Sequence, residues 1–199
     1  MRRAPFGAAL VGTALVGTAL ACGPAGRVED PSRKIQATNI TATPGVELQM
    51  ACMPTGPERC FNAIDDNCNG VIDEGCGVGT GVLQFTIAWE SGADVDLIVT
   101  DPSGVKVYEG SRAAPGGLRL DKDCPTDDGC HGQNIENIFY EGLEPARGKY
   151  AVDVKLTDLR GGESPVKVRL GARVGSRTFG AEVMLTPSDD KKSFGFELP

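Results

Sequence analysis

The amino-acid sequence predicts a mainly β protein, an antiparallel β-sandwich preceded by a disulfide-rich segment with little regular structure. Three observations carry that prediction. From residue 82 onward, apolar residues alternate with polar ones in run after run, which is the period of a strand with one buried face. Glycine (27) and proline (13) are plentiful while aromatics make up only 6%, a composition that favours short strands and many turns. Four of the seven cysteines stand at every eighth position, Cys52, Cys60, Cys68 and Cys76. The stretch that holds them is too poor in apolar side chains to build a core of its own.

The N-terminus reads as an export signal. Met1-Arg2-Arg3 precedes an uncharged, small and apolar stretch from Ala4 to Ala21. This is a basic start and an apolar run too short for a comfortable membrane span, so residues 1–21 are expected to be a signal peptide. The run ends Thr18-Ala19-Leu20-Ala21-Cys22-Gly23, which resembles the bacterial lipobox, although Ala19 stands where Leu is usual and Leu20 comes one place late. The resemblance implies cleavage at Ala21, acylation of Cys22 and, with Gly23 after the Cys, an outer-membrane destination. Acyl chains at about 0.8 kcal/mol per buried CH₂ would hold the protein firmly on a membrane. An ordinary signal peptide cut near Ala21 is the competing reading. Residues 22–51 lack sustained periodicity and are expected to be the lipidated N-terminus and a tether, with a short extended piece from Ile40 to Leu48.

Export changes how the cysteines read. Setting Cys22 aside leaves six, an even number for an oxidising compartment: Cys52, Cys60, Cys68, Cys76, Cys124 and Cys130. Three disulfides are expected, one of them the local pair Cys124–Cys130. The other four allow three connectivities, and the sequence does not choose among them.

Within the Cys-rich segment, residues 52–78, lies the sharpest chemical signal. Asp65, Asn67 and Asn69 are spaced by two and followed by Gly70, the first half of an EF-hand-type calcium loop. A tight turn converges alternate side chains on one ion, Gly70 permits the reversal, and the Val71 carbonyl is next in line. Cys76 stands where an EF-hand has its bidentate Glu, so Asp73 and Glu74 must close the shell. The run Cys60-Phe-Asn-Ala-Ile-Asp-Asp-Asn-Cys-Asn-Gly-Val-Ile-Asp-Glu-Gly-Cys76 resembles the MopE-type metal-binding motif of exported bacterial proteins. That resemblance implies Asp65, Asn67, Asn69 and Asp73 as ligands, and the EF-hand-type spacing makes Ca²⁺ the expected ion. The competing reading is a purely disulfide-stapled knot with solvated turn acids. Zinc held by thiolates fits poorly, since exported cysteines oxidise and the spacing is not C-x₂-C.

The remainder, 79–199, carries the strands. Leu83, Phe85, Ile87 and Trp89 alternate with Gln84, Thr86 and Ala88, and Val95, Leu97 and Val99 alternate with Asp94 and Asp96. After the turn Asp101-Pro102-Ser103-Gly104 come Val105 and Val107, then runs centred on Tyr150 to Leu156, Val166 to Leu170, Phe179 to Leu185 and Phe194 to Leu198. Seven to nine half-buried antiparallel strands imply a sandwich. Trp89 to Asp101, Gly116-Gly117-Leu118-Arg119-Leu120-Asp121-Lys122-Asp123, Asn134-Ile135-Glu136-Asn137-Ile138 and Gly148-Lys149-Tyr150-Ala151-Val152 together resemble the YfaP-like family, which implies a β-sandwich more than an activity. This chain differs by the insertion Cys124-Pro-Thr-Asp-Asp-Gly-Cys130-His131. Asp94 and Asp96 share one strand face, and a cation shared with Asp121, Asp123, Glu136 or Asn137 would relieve their repulsion. That is a second calcium expectation, set against an ordinary solvent face.

Function follows from these parts. Loss of Arg2 and Arg3 with the signal peptide takes the net charge from −7 to −9, which repels phosphates and argues against nucleic acid as a partner. The sequence has no G-x-S-x-G, H-E-x-x-H, P-loop or G-x-G-x-x-G. The expectation is a non-enzymatic, envelope-anchored lipoprotein whose calcium-stabilised module binds an envelope protein or glycan. The alternatives are a copper acquisition or sensing protein and a carbohydrate-active hydrolase. The sandwich, having its own core, is expected to melt almost independently of the 65–76 loop.

Overall fold

The computed structural model describes residues 31–52, 54–127, 130 and 132–199. The segment expected to be a signal peptide (1–21), Cys22 and His131 lie outside the described residues.

Alternation becomes strand wherever it was expected. The elements are β1 (Asn39–Ala42), β2 (Gln49–Met50), β3 (Leu83–Trp89), β4 (Asp94–Thr100), β5 (Lys106–Val107), β6 (Leu118–Asp123), β7 (Ile135–Tyr140), β8 (Gly148–Asp158), β9 (Val166–Val174), β10 (Arg177–Leu185) and β11 (Lys191–Leu198). They form two antiparallel sheets, one in the order β1-β11-β8-β4-β5 and the other β2-β10-β9-β3-β7-β6. No α-helix occurs among the described residues.

The alternate residues that face inward make the core between the sheets. Val95, Leu97 and Val99 of β4, Val152 and Val154 of β8, Phe85 and Ile87 of β3, and Val168 and Leu170 of β9 are fully buried there. Phe85 and Phe196 pack across the gap with ring centroids 5.4 Å apart. Each such side chain stabilises the fold by about 1.5–3 kcal/mol through burial.

Part of the stretch expected as a tether is woven into both sheets. β1 pairs with the edge of β11, Asn39 opposite Glu197 and Ala42 opposite Phe194, and β2 pairs with β10. Ile35, Ile40, Val46 and Leu48 pack against the core from this segment. These edge strands are too short to display alternation, which is why the sequence shows only an extended piece.

The six-stranded sheet has a second buried face. Every residue of β3 is buried, including Gln84, Thr86 and Ala88 on the side away from the core. What covers them is the Cys-rich segment, so the molecule has three layers where two were expected. Ile72 and Ala63 of that segment are 1% and 2% exposed. Gly171 of β9 is where the layers come closest: a Cβ there would collide with the Ala63 carbonyl oxygen and press on Ile72. The Cys124–Cys130 insertion sits on the same side. Its two cysteines pack with Val78 and Ile135, and Phe61 of the Cys-rich segment leans on this cluster.

Candidate metal centre

The described residues between Ala51 and Val82 form no regular strand, so the shape of the Cys-rich segment comes from cross-links and buried carboxylates. Cys52 pairs with Cys68 and Cys60 with Cys76, at Cα–Cα distances of 5.5 and 5.3 Å, and Cys124 pairs with Cys130 at 5.5 Å. The first two bridges interleave. Phe61, Ala63, Cys68 and Asp73 all take left-handed backbone conformations, with φ between 51° and 66°. Each costs about 1–2 kcal/mol in an L-residue, and such strain persists only where the surroundings over-determine it.

Three buried carboxylates supply that constraint. Asp73, fully buried, accepts from the Asn62 and Ala63 amides at 3.2 and 3.1 Å. Burial pushes its carboxyl up to about 6 despite those bonds. Asp66 accepts from Thr55 Oγ1 (2.7 Å), Asn62 Nδ2 (2.8 Å) and the Arg59 amide (3.2 Å). Burial works to raise its carboxyl, but these donors outweigh it and hold the group below its ordinary range. Asp65 accepts from the Asn69 amide on Oδ1 (3.1 Å), and on Oδ2 from the Gly70 amide (2.9 Å) and Thr178 Oγ1 of β10 (3.3 Å).

The loop from Asp65 to Glu74 then turns as the spacing requires. Asn67 Oδ1 accepts from the Asn69 amide at 3.0 Å and Asn69 Oδ1 from the Val71 amide at 2.9 Å. Gly70 has φ +86°, close against the Ser176 carbonyl of the β9–β10 turn. A side chain there would be strained in that backbone conformation. The side-chain amides of Asn67 and Asn69 both donate to Glu74 Oε1. The other oxygen, Glu74 Oε2, is buried with no hydrogen-bond partner. Asp65, Asn67, Asn69 and Glu74 are thus drawn into one turn, while the Asp73 carboxylate is engaged beside Asn62 and Ala63. Among the described residues, no three His, Cys, Asp or Glu side chains gather in a group that could hold a metal by themselves. Any ion here would need amide and backbone carbonyl oxygens as well.

Sequence reasoning missed Glu58. Its Oε2 accepts from the amides of Asp66 (3.1 Å) and Asn67 (3.3 Å), and its Oε1 from the amide of Asp73 (2.9 Å). Burial, followed by the charge of Glu74, pushes this carboxyl up to about 7. An isolated acid in a turn-rich stretch gives no spacing signal, because nothing local indicates that it folds back onto backbone amides.

The six-stranded sheet splits the second set of acids: Asp121 and Asn137 lie on its Cys-rich side, while Glu136 on the other lies close enough to Asp123, Asp96 and Asp94 to feel their charge. Asp121 accepts from the Gly79 amide and from Asn137 Nδ2, the latter at 2.6 Å. Asn137, fully buried, also binds Gln84 and Thr86 under the Cys-rich layer. Asp94 pairs with Arg160 at 3.0 Å and Asp96 accepts from Thr157. Glu136 points the other way, into the gap between the sheets, and accepts from the Leu97 amide of β4 at 2.7 Å. Asp123 meets Arg112 at 3.3 Å, and Arg112 meets Asp127 at 2.6 Å.

One comparison with known proteins bears on this segment. The family model described as "Putative metal-binding motif", of the MopE type, matches residues 49–74. No curated protein and no solved structure matches the chain. The match ends before β3 and leaves the YfaP-like resemblance of residues 82–156 untouched.

Proposed function

We propose that this chain is an exported lipoprotein, anchored in the cell envelope through Cys22, whose calcium-stabilised β-sandwich serves as a non-enzymatic binding module. The observation that carries the calcium reading is Glu74. One of its oxygens meets two side-chain amides and the other is buried without a partner, although a buried carboxylate oxygen is ordinarily satisfied. A cation would take over the role of those amide donors. Asp65 fits the same ion, since a carboxylate offers roughly four lone-pair sites and three are taken, two by amides of the loop and one by the Thr178 hydroxyl of β10. Asn67, Asn69 and the Val71 carbonyl add neutral oxygens.

Ligand chemistry favours calcium over copper. The sulfurs near the loop are locked in Cys52–Cys68 and Cys60–Cys76, which leaves hard oxygen donors, and those suit calcium or magnesium. Calcium tolerates the irregular shell that a short non-helical loop supplies, whereas magnesium demands near-octahedral geometry. The ion's task here is structural: it neutralises Asp65 and Glu74 and holds the Cys-rich layer in shape on β9 and β10. A ligand for the sandwich would come from the envelope, as a protein or a glycan. Calcium titration by calorimetry tests the metal reading. One site with Kd of about 10⁻⁴–10⁻³ M is expected, the range of extracellular calcium modules, and a flat titration counts against it.

A further inference from the structure

We propose that Glu58 is the positioning residue of the acidic loop, drawing its two ends together ahead of the cation while staying off the ion itself. The inference rests on the reading of the loop as a calcium site. One Glu58 oxygen takes the amides of Asp66 and Asn67, and the other takes the amide of Asp73. The residues it grips adjoin the two charged donors, Asp65 and Glu74, so the clasp fixes the span over which those donors must meet. Carboxylates accepting several amide hydrogens in this way hold a loop in one geometry.

The clasp differs in kind from the loop's other closing contacts. Asn67 and Asn69 reach Glu74 through side-chain amides, and a cation entering among those donors would displace these contacts. Glu58 bonds backbone amides, which an ion leaves in place. It is near enough to Glu74 to be repelled by that carboxylate, and an ion that neutralises Glu74 would remove the repulsion. Occupancy and clasp therefore favour each other, as outer partners of metal ligands generally do.

The test is calcium titration of the full-length chain, with its bridges oxidised, as wild type, Glu58→Ala and Glu58→Gln. Amide exchange at Asp66, Asn67 and Asp73 is followed on the same samples in chelator. Loss of an outer partner typically lowers metal affinity by about 10–100-fold, and that is expected of Glu58→Ala, together with faster exchange at the three amides. Glu58→Gln, which keeps one acceptor oxygen, should recover part of both. Wild type that binds calcium while Glu58→Ala binds it equally well overturns the positioning role and spares the metal site. Equal weakening by Ala and Gln, with no recovery, also overturns it, since that is the mark of general loosening. Wild type that binds no calcium overturns the metal reading and the positioning role with it.

Discussion

The Thr178 hydroxyl, on β10, donates to the Asp65 carboxylate, at the first position of the acidic loop, across 3.3 Å. Its single proton is shared with the Ala51 carbonyl, the nearer acceptor at 2.9 Å, next to the Cys52–Cys68 bridge. A strand of the sandwich thus holds the loop and the chain that enters it. Gln84 of β3 adds a bond from Nε2 to the Ile72 carbonyl at 3.0 Å, and Arg169 of β9 one to the Asn62 carbonyl at 3.3 Å. These bonds join loop and sheet directly, which argues against the independent melting that the sequence suggests.

Calcium should therefore raise the melting temperature of the whole fold. At a hundredfold excess over Kd, binding adds about 2.7 kcal/mol, which is roughly 5–10 °C for a domain of this size. Thermal unfolding in calcium and in chelator, for wild type and Asp65→Ala, measures it. A wild-type midpoint that calcium leaves in place would show that the layers melt apart.

The seam between layers should be sensitive to volume in both directions. Ile72→Ala empties a site that is 1% exposed, and such a truncation costs about 2–5 kcal/mol. Gly171→Ala puts a methyl against the Ala63 carbonyl oxygen and should lift the Cys-rich layer from β9. Urea unfolding reads the first and amide exchange of residues 61–73 the second. Wild-type values for both variants would mean that the contact contributes nothing.

Glu136 should make stability fall with rising pH. Its carboxyl is held well above the usual range, first by burial and then, against the Leu97 amide, by Asp123, Asp96 and Asp94. A carboxyl raised in the folded state binds protons that the unfolded chain has released. The contribution is full below the ordinary Glu value and is lost as pH rises through the folded value. Glu136→Gln keeps an acceptor for Leu97 without the charge, so it should flatten this slope and stabilise the protein most at high pH. Urea midpoints from pH 5 to 9 decide the matter, and parallel curves for the two proteins would remove Glu136 as the cause.

Membrane attachment should depend on a single sulfur. Cys22→Ala is expected to move the protein from the detergent-extracted membrane fraction to the soluble fraction. Persistence in the membrane fraction would require another means of attachment.

Legibility in the sequence followed exposure. β3, β4 and β8 to β11 were visible because one face of each meets the core and alternation records it. β7 was not, since Ile135, Glu136, Asn137 and Ile138 are all buried, Glu136 between the sheets and Asn137 beneath the Cys-rich layer. Gln84 and Thr86 read as a solvent face for the same reason: a polar residue shows its period but not what covers it. The spacing of Asp65, Asn67, Asn69 and Gly70 identified the turn, because those contacts lie within the turn itself. Glu58 acts at a distance along the chain, and the interleaved bridges are one of three pairings equal in the sequence, so neither could be read.

The three-layer arrangement decides how this molecule can be cut and recombined. A short motif bounded by cysteines looks portable, an insert to be moved from one protein to another. Here its removal would uncover Gln84, Thr86 and Asn137, all fully buried, and leave a polar trough along the middle of a sheet. The glycine at 171 and the seat formed by Cys124 and Cys130 would then have nothing to accommodate. Grafted alone onto another sheet, the motif would lack the Thr178 hydroxyl and the close approach at Gly171. Motif and sandwich share one buried seam, so a substitution on either side of it changes what the other side packs against.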